Sequence, residues 1–260
     1  MLAISYYLQA IYPQPRPHIM KHPLSSVLCG LIFIFLTHSS TSNPAVNFNS
    51  LNIITEEFPP FNYSENGQPT GSSVELLLKA SAAVGSPISR DRIKIAPWAR
   101  AYQTALSSTD VMLFSTTRNK ERENLFKWAG PIGQNRTVIF AKKSAGIGQI
   151  DDMSTIDKKL VVIRDSVDDQ QIVKANTPSK MITRTTKPDA AAKMLATGRV
   201  GLWAYNEVTA LEILKRNNRN IDDYEIVHIL SSDEMYFAFS KDVDDSVIQL
   251  LQKGIDQVRQ

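Results

Sequence analysis

The sequence predicts an α/β protein built as two lobes with a cleft between them. Two observations carry that prediction. Short apolar runs rich in β-branched residues alternate with helix-patterned segments, the order that builds a parallel sheet. The alternation occurs in two series of comparable length, followed by a returning tail. Ligands of open α/β sheets sit beyond the carboxyl ends of the strands, so two such series facing each other place a site between them.

The first series opens with a strand at 51–55 (LNIIT) that Pro59-Pro60 stops. Asn66-Gly67 marks a turn, and 74–84 reads as a helix capped by Ser72 or Ser73 and ended by Gly85. A strand at 92–96 (RIKIA), a helix at 98–106 (WARAYQTAL) and a buried strand at 111–115 (VMLFS) complete it. A strand at 137–141 (TVIFA) and a polar, glycine-bearing loop at 146–152 lead to the second series. There, 160–163 (LVVI) is a strand, 168–175 a helix and 180–184 (KMITR) a strand. Pro188 starts a helix that ends at Gly198. A strand at 200–204 (VGLWA) and a helix at 207–216 follow. Two returning strands, 224–230 and 235–239, precede a terminal helix at 243–258, with Val247, Leu250, Leu251, Ile255 and Val258 on one face.

The 260 residues are 43% hydrophobic and 21% charged, ordinary for a globular chain and unlike a disordered tail or a multi-span membrane protein. A net charge of +3 is too small to imply nucleic acid. One cysteine, Cys29, excludes an internal disulfide, zinc fingers and CxxC redox motifs. No acidic residue precedes Glu56. Within that stretch, Met20-Lys21-His22, an apolar run at 24–36 and a small polar end have the order of a secretory signal cleaved near Ser42. The run is shorter than the ~20 residues of a membrane span. Met20 is therefore the expected start, with 1–42 lost on export; an uncleaved anchor is the alternative. Leu28 before Cys29 argues against a lipoprotein. Export removes Cys29, which suits an oxidising compartment.

HExxH, GxSxG, GxxxxGK[ST] and GxGxxG are all absent. Beyond residue 42 the sole histidine, His228, lies in an expected strand and reads as structural. The acidic pairs Glu56/Glu57, Asp151/Asp152, Asp168/Asp169, Asp222/Asp223 and Asp244/Asp245 fall mostly at turns or helix starts, where acids favour the helix dipole. Nothing forms a nucleophile–base pair or a calcium loop. Binding is expected, not catalysis, with no metal and no cofactor.

Three patterns carry a resemblance over nearly the whole exported chain. The first is Phe58-Pro59-Pro60-Phe61-Asn62-Tyr63, then Asn66-Gly67, then Gly71-Ser72-Ser73-Val74-Glu75-Leu76. The second is 110–117 (DVMLFSTT), then Glu121-Arg122, then Trp128-Ala129-Gly130-Pro131. The third is Gly198-Arg199-Val200, then 202–207 (LWAYNE). In that order the chain resembles the bacterial periplasmic solute-binding proteins for polar amino acids (extracellular family 3, type 2 periplasmic-binding fold), the ligand-capturing components of ABC uptake transporters. The resemblance implies two lobes joined by two hinge strands, crossing near 137–142 and 227–239. Residues 43–138 and 230–260 then form the first lobe and 139–229 the second. It also implies a periplasmic monomer, a small amino-acid-like carboxylate ligand and an ABC permease partner in the inner membrane.

Site residues follow from chemistry and resemblance together. Arg122 can grip a carboxylate with two parallel hydrogen bonds, and by resemblance it holds the ligand's α-carboxylate. Ser115 and Thr117 alternate at a strand end and can both face the cleft. Phe58 resembles the family's aromatic lid, and Trp98 with Arg100 resembles a cleft-lining pair. The segment Arg164-Asp165-Ser166 precedes a helix whose first amides suit an anion, with Ser166 as a donor. The family has a glycine-threonine turn there, and this chain has Asp165-Ser166. Asn206 stands where the family has an aspartate for the ligand's ammonium, and Ser73 replaces a second aspartate; Glu56 or Glu57 is expected to compensate. Two other readings share this fold. One is a sensing module without its own transporter. The other is a dehydratase-like enzyme with Glu56 or Glu207 as general acid.

Overall fold

The computed structural model describes residues 46–259. The export signal, the Met20 start and the cleavage region lie outside the described residues. Among the described residues no helix is long and apolar enough to cross a membrane.

In chain order the elements are β1 (Asn52–Thr55), β2 (Tyr63–Glu65), β3 (Gln68–Thr70), α1 (Ser72–Ala83), β4 (Ile93–Ile95), α2 (Trp98–Ser107) and β5 (Val111–Arg118). Next come β6 (Lys127–Lys142), β7 (Leu160–Ile163), α3 (Val167–Lys174), β8 (Ile182–Thr185), α4 (Pro188–Ala196), β9 (Leu202–Asn206), α5 (Glu207–Arg216), β10 (Tyr224–Phe239) and α6 (Asp245–Val258). Eight strands form one sheet in the order β4-β1-β5-β10-β6-β9-β7-β8. β1 runs parallel to β4 and β5, and β7 runs parallel to β8 and β9. Each trio is a βα series with helices on its faces, as the alternation predicts. The long strands β6 and β10 pair antiparallel along their whole length and carry the chain from one lobe to the other.

The two expected returning strands are one strand. β10 runs unbroken through Ser231-Ser232-Asp233 because β6 supplies ladder partners throughout, from Tyr224↔Lys142 to Phe239↔Lys127. The polar middle of each strand hides the pairing from a hydrophobic pattern. β6 is likewise longer than its apolar segment at 137–141. Asn66-Gly67 turns a β2–β3 hairpin, an element the apolar pattern does not mark.

The first helix is capped by Gly71, not by Ser72 or Ser73. Gly71 sits at φ +112°, and a Cβ there would lie 2.4 Å from the Phe61 carbonyl oxygen. Only glycine fits that approach. Ser73 is buried and joins the cleft network described below. On α6, Ile248, Leu251, Gly254 and Ile255 face inward, while Val258 is exposed at the frayed end. A Cβ on Gly254 would lie 2.2 Å from the Ala80 carbonyl oxygen, so α6 and α1 touch backbone to backbone.

Three buried clusters fill the molecule. One lies in the first lobe around Leu77, Phe114, Phe237 and Leu251. A second lies in the second lobe around Ile139, Leu160, Ile172 and Leu202. The third spans both lobes and includes Phe58, Trp98, Trp203 and Tyr205. Its continuity means that the lobes are in contact and the cleft is closed.

Candidate functional site

The site is assembled at strand ends and helix starts of both lobes, around a cavity of about 20 Å³, room for a water molecule. β1 ends by delivering Glu56 and then Phe58, and β5 brings Ser115, at a bulge, and Thr117 to the cavity. Arg122 follows in the turn after β5. From the second lobe come Ser166 and Asp168 at the start of α3, and Tyr205 and Asn206 at the end of β9.

Arg122 is 1% exposed. Its guanidinium lies over the rings of Trp98 (5.3 Å) and Tyr102 (4.9 Å), both on α2. Its Nε donates to Gln170 Oε1 on α3 at 3.3 Å, and its Nη2 has no hydrogen-bond partner. Burial lowers its pKa from the ordinary arginine value, and Tyr102, Asp168 and Glu56 oppose that shift. A stacked, desolvated guanidinium with an idle donor is a site for an anion.

Two carboxyls share the cavity with it. Burial pushes Glu56 well above the usual carboxylate range; Asp168 adds to the shift and Arg122 opposes it. Burial raises Asp168 to about 7, against hydrogen bonds from Ser166 and backbone amides. Its neighbour Asp169 behaves differently: both of its oxygens take the Arg184 guanidinium at 2.8–2.9 Å. Sequence reasoning assigned both aspartates to the helix dipole. Only the fold separates them, by bringing Arg184 of β8 to one and the cavity to the other.

The hydroxyls and amides are largely committed. Ser115, at φ +59°, donates to Asn62 Oδ1 and lies 3.0 Å from the Ser73 hydroxyl. Thr117 Oγ1 accepts from Asn135 Nδ2 at 2.7 Å, and Asn206 Nδ2 donates to Asn135 Oδ1 at 2.7 Å. Asn206 Oδ1 caps α5 through the Thr209 amide. Asn206 thus lines the cavity but supplies no charge. Ser166 likewise caps α3, accepting from the Asp169 amide while donating to the Ile163 carbonyl. Asn135 and Tyr205 were not foreseen; both lie in apolar or polar strand runs without a local signal. The Tyr205 hydroxyl is buried without a partner.

Arg100 does not join the site. It is exposed on α2 beside Lys94 and Thr104, lining a separate surface groove. Residues two apart on a helix point about 200° apart, so Trp98 and Arg100 cannot share a wall. Glu207 also stays away, held by Arg136 of β6. His228 is structural, with Nδ1 2.6 Å from the Ile150 carbonyl oxygen.

Closure is held by contacts between the lobes. Trp98 Nε1 donates to the Asp165 carbonyl oxygen at 2.8 Å. Phe58 meets Tyr205 edge to face at 5.7 Å. Arg216 of α5 lies 4.1 Å over the Tyr63 ring, and Lys174 pairs with Glu121. Asp165 takes the left-handed conformation at φ +59°, in the place the resembled family fills with glycine. Its contribution to closure is a backbone carbonyl, so the side chain is free to differ. Among the described residues no cluster of His, Cys, Asp or Glu is arranged to hold a metal ion.

Comparison with known proteins agrees with this architecture. The family described as bacterial extracellular solute-binding proteins, family 3, matches residues 51–260. An L-glutamate/L-aspartate-binding protein of Pseudomonas aeruginosa is 25% identical over 207 residues, covering 75% of this chain and 67% of that protein. Among solved structures, an ancestral arginine-binding protein bound to arginine superposes with a TM-score of 0.67 at 20% identity, covering 81% of this chain and 92% of that one. A substrate-binding protein of an ABC uptake transporter from Streptococcus pneumoniae, with bound histidine, gives 0.70 at 16% identity, covering 82% and 88%. A histidine kinase sensor domain similar to periplasmic binding proteins gives 0.70 at 17%, covering 80% and 90%. At these identities the structures show the shared fold.

Proposed function

Because the chain belongs to the bacterial extracellular solute-binding proteins, family 3, we propose that it captures a small amino-acid-like solute by closing two lobes over it. One observation carries the reading: the buried Arg122 guanidinium, stacked on Trp98 and Tyr102, keeps Nη2 unpaired at the cavity between the lobes. An unpaired buried donor on a cation is costly, and a ligand carboxylate satisfies it. Thr117, whose oxygen is already an acceptor, has its hydroxyl proton left to donate to the same carboxylate. Phe58, Trp98 and Tyr205 wall the rest of the ligand. Glu56 and Asp168 face its ammonium in place of the neutral Asn206. Ser115 and Ser166 shape the cavity through their own hydrogen bonds. Capture in the periplasm by a monomer, followed by delivery to an ABC permease of the inner membrane, completes the proposal.

A thermal-shift screen of the folded protein over amino acids and small carboxylates tests it. A ligand at about 100 times its Kd adds ~2.7 kcal/mol. Arg122→Ala is expected to abolish any response. Silence from every compound, or an Arg122→Ala variant that binds unchanged, overturns the reading.

One observation favours a second reading. Glu56 is a buried carboxyl in the cleft with a raised pKa, as a dehydratase-like general acid needs. Recovery of the captured solute chemically unchanged after prolonged incubation excludes it.

A further inference from the structure

We infer that the captured solute carries a net positive charge: an amino acid with a second cationic group on its side chain, selected by the facing carboxyls of Glu56 and Asp168. The inference rests on the reading of Arg122 as the carboxylate anchor.

The argument is a balance of buried charge. The cavity holds one guanidinium, Arg122, and two carboxyls, Glu56 from the end of β1 and Asp168 from the first turn of α3. All three are buried. The Glu56 carboxyl has no hydrogen-bond donor among the described residues. Asp168 is held by neutral donors, the Ile163 amide at 3.4 Å, its own amide and Ser166, and Arg184 is already taken by Asp169. When Arg122 turns to the ligand's carboxylate, no other cationic side chain among the described residues lines the cavity. A zwitterion brings one ammonium, so one of the two carboxyls keeps its proton, as burial favours for both, and contributes no ion pair. A ligand with an α-ammonium and a side-chain cation gives each carboxyl a partner against which to ionise, and the cavity then sums to zero. An acidic side chain adds a third carboxylate and is excluded by repulsion.

Two further features fit. Asn206 cannot serve as the missing anion's equal, because its oxygen caps α5 and its amide donates to Asn135. In this form the cavity has room only for a water, so the lobes part to admit a larger solute; an aliphatic or guanidinium stem then lies against Phe58, Trp98 and Tyr205, whose buried, unpartnered hydroxyl is an acceptor for a cationic head. The remaining charged groups that bear on Glu56 and Tyr205 are Glu57 and Asp189, both acidic.

Titration calorimetry on the full chain at pH 8, with L-lysine, L-arginine, L-norleucine and L-glutamate, tests the inference. Norleucine has the aliphatic stem of lysine without the ammonium. We expect lysine or arginine to bind at least tenfold more tightly than norleucine, and glutamate to give no heat. Neutralising either carboxyl, by Glu56→Gln or Asp168→Asn, leaves a single anion and lowers that preference at least fivefold. Norleucine or glutamate binding as tightly as the cationic amino acids, in a manner lost with Arg122→Ala, overturns this inference and leaves the proposed function standing. A preference untouched by both neutral variants also overturns it. Failure of all four probes to bind, with no response to any other amino acid or carboxylate, removes the proposed function and this inference together.

Discussion

The indole nitrogen of Trp98 on the first lobe donates to the backbone carbonyl of Asp165 on the second, at 2.8 Å. The same ring supports the Arg122 guanidinium from one side. A single residue therefore joins the anion anchor to the closing contact. Trp98→Phe keeps an aromatic face and removes the donor. A net hydrogen bond contributes about 0.5–1.5 kcal/mol. The expected result is a roughly 2- to 10-fold loss of ligand affinity, with a larger radius of gyration for the ligand-free protein in small-angle scattering. An unchanged closed population with unchanged affinity refutes the latch.

The pH dependence of the ligand-free closed form runs opposite to that of a salt-bridged carboxylate. The Asp168 value of about 7 lies above the ordinary aspartate value of 3.8 because burial penalises the charge. The closed state therefore holds a proton that the unfolded chain, or an open and hydrated cleft, releases. Its contribution is fully present below about pH 4 and is lost as pH rises through about 7, at up to ~1.4 kcal/mol per pH unit. Glu56 shifts in the same direction. Arg122 opposes the shift at Glu56, and Asp169 reinforces the one at Asp168. Melting temperatures of the ligand-free protein between pH 5 and 8 are expected to fall faster for the wild type than for Asp168→Asn. Parallel curves contradict the assignment.

Asp165 supports closure with its backbone while holding φ at +59°. A residue with a Cβ is strained there, and aspartate tolerates it better than alanine. Asp165→Ala is expected to cost about 1 kcal/mol in chemical denaturation. Asp165→Gly should cost nothing and leave ligand affinity within about twofold. Equal losses for both variants point to a role for the carboxylate itself.

Gly254 lets α6 rest on the backbone of α1. Gly254→Ala normally favours a helix by about 1 kcal/mol. Here the new methyl meets the Ala80 carbonyl, and the helices must separate. A net loss of about 1–3 kcal/mol in unfolding free energy is expected. A stabilised variant shows that the contact yields freely.

The βα alternation was legible because buried parallel strands are short apolar runs and their helices carry caps and stops. The lengths of β6 and β10 were not, since their ladder continues through Gln134-Asn135-Arg136 and Ser231-Ser232-Asp233, where hydropathy falls silent. Arg122, Thr117, Phe58 and Trp98 could be named in advance by chemistry and resemblance. Arg100 lies two residues from Trp98 on α2, and the helical turn carries it to the outer surface. Asp168 was missed because two acids at a helix start look alike until a distant arginine chooses between them. Asn206 was rightly seen as neutral, but its engagement by Asn135 depends on strand register.

The chain enters the second lobe along β6, returns along β10 and finishes by laying α6 on α1. The first lobe is thus stitched from segments before β6 and after β10, with its partner inserted between them. Ala80 must await Gly254 before their helices can join, a long-range contact of the kind that slows folding. The inserted lobe's helices are contiguous in sequence, whereas the first lobe stays open-seamed until α6 docks on α1.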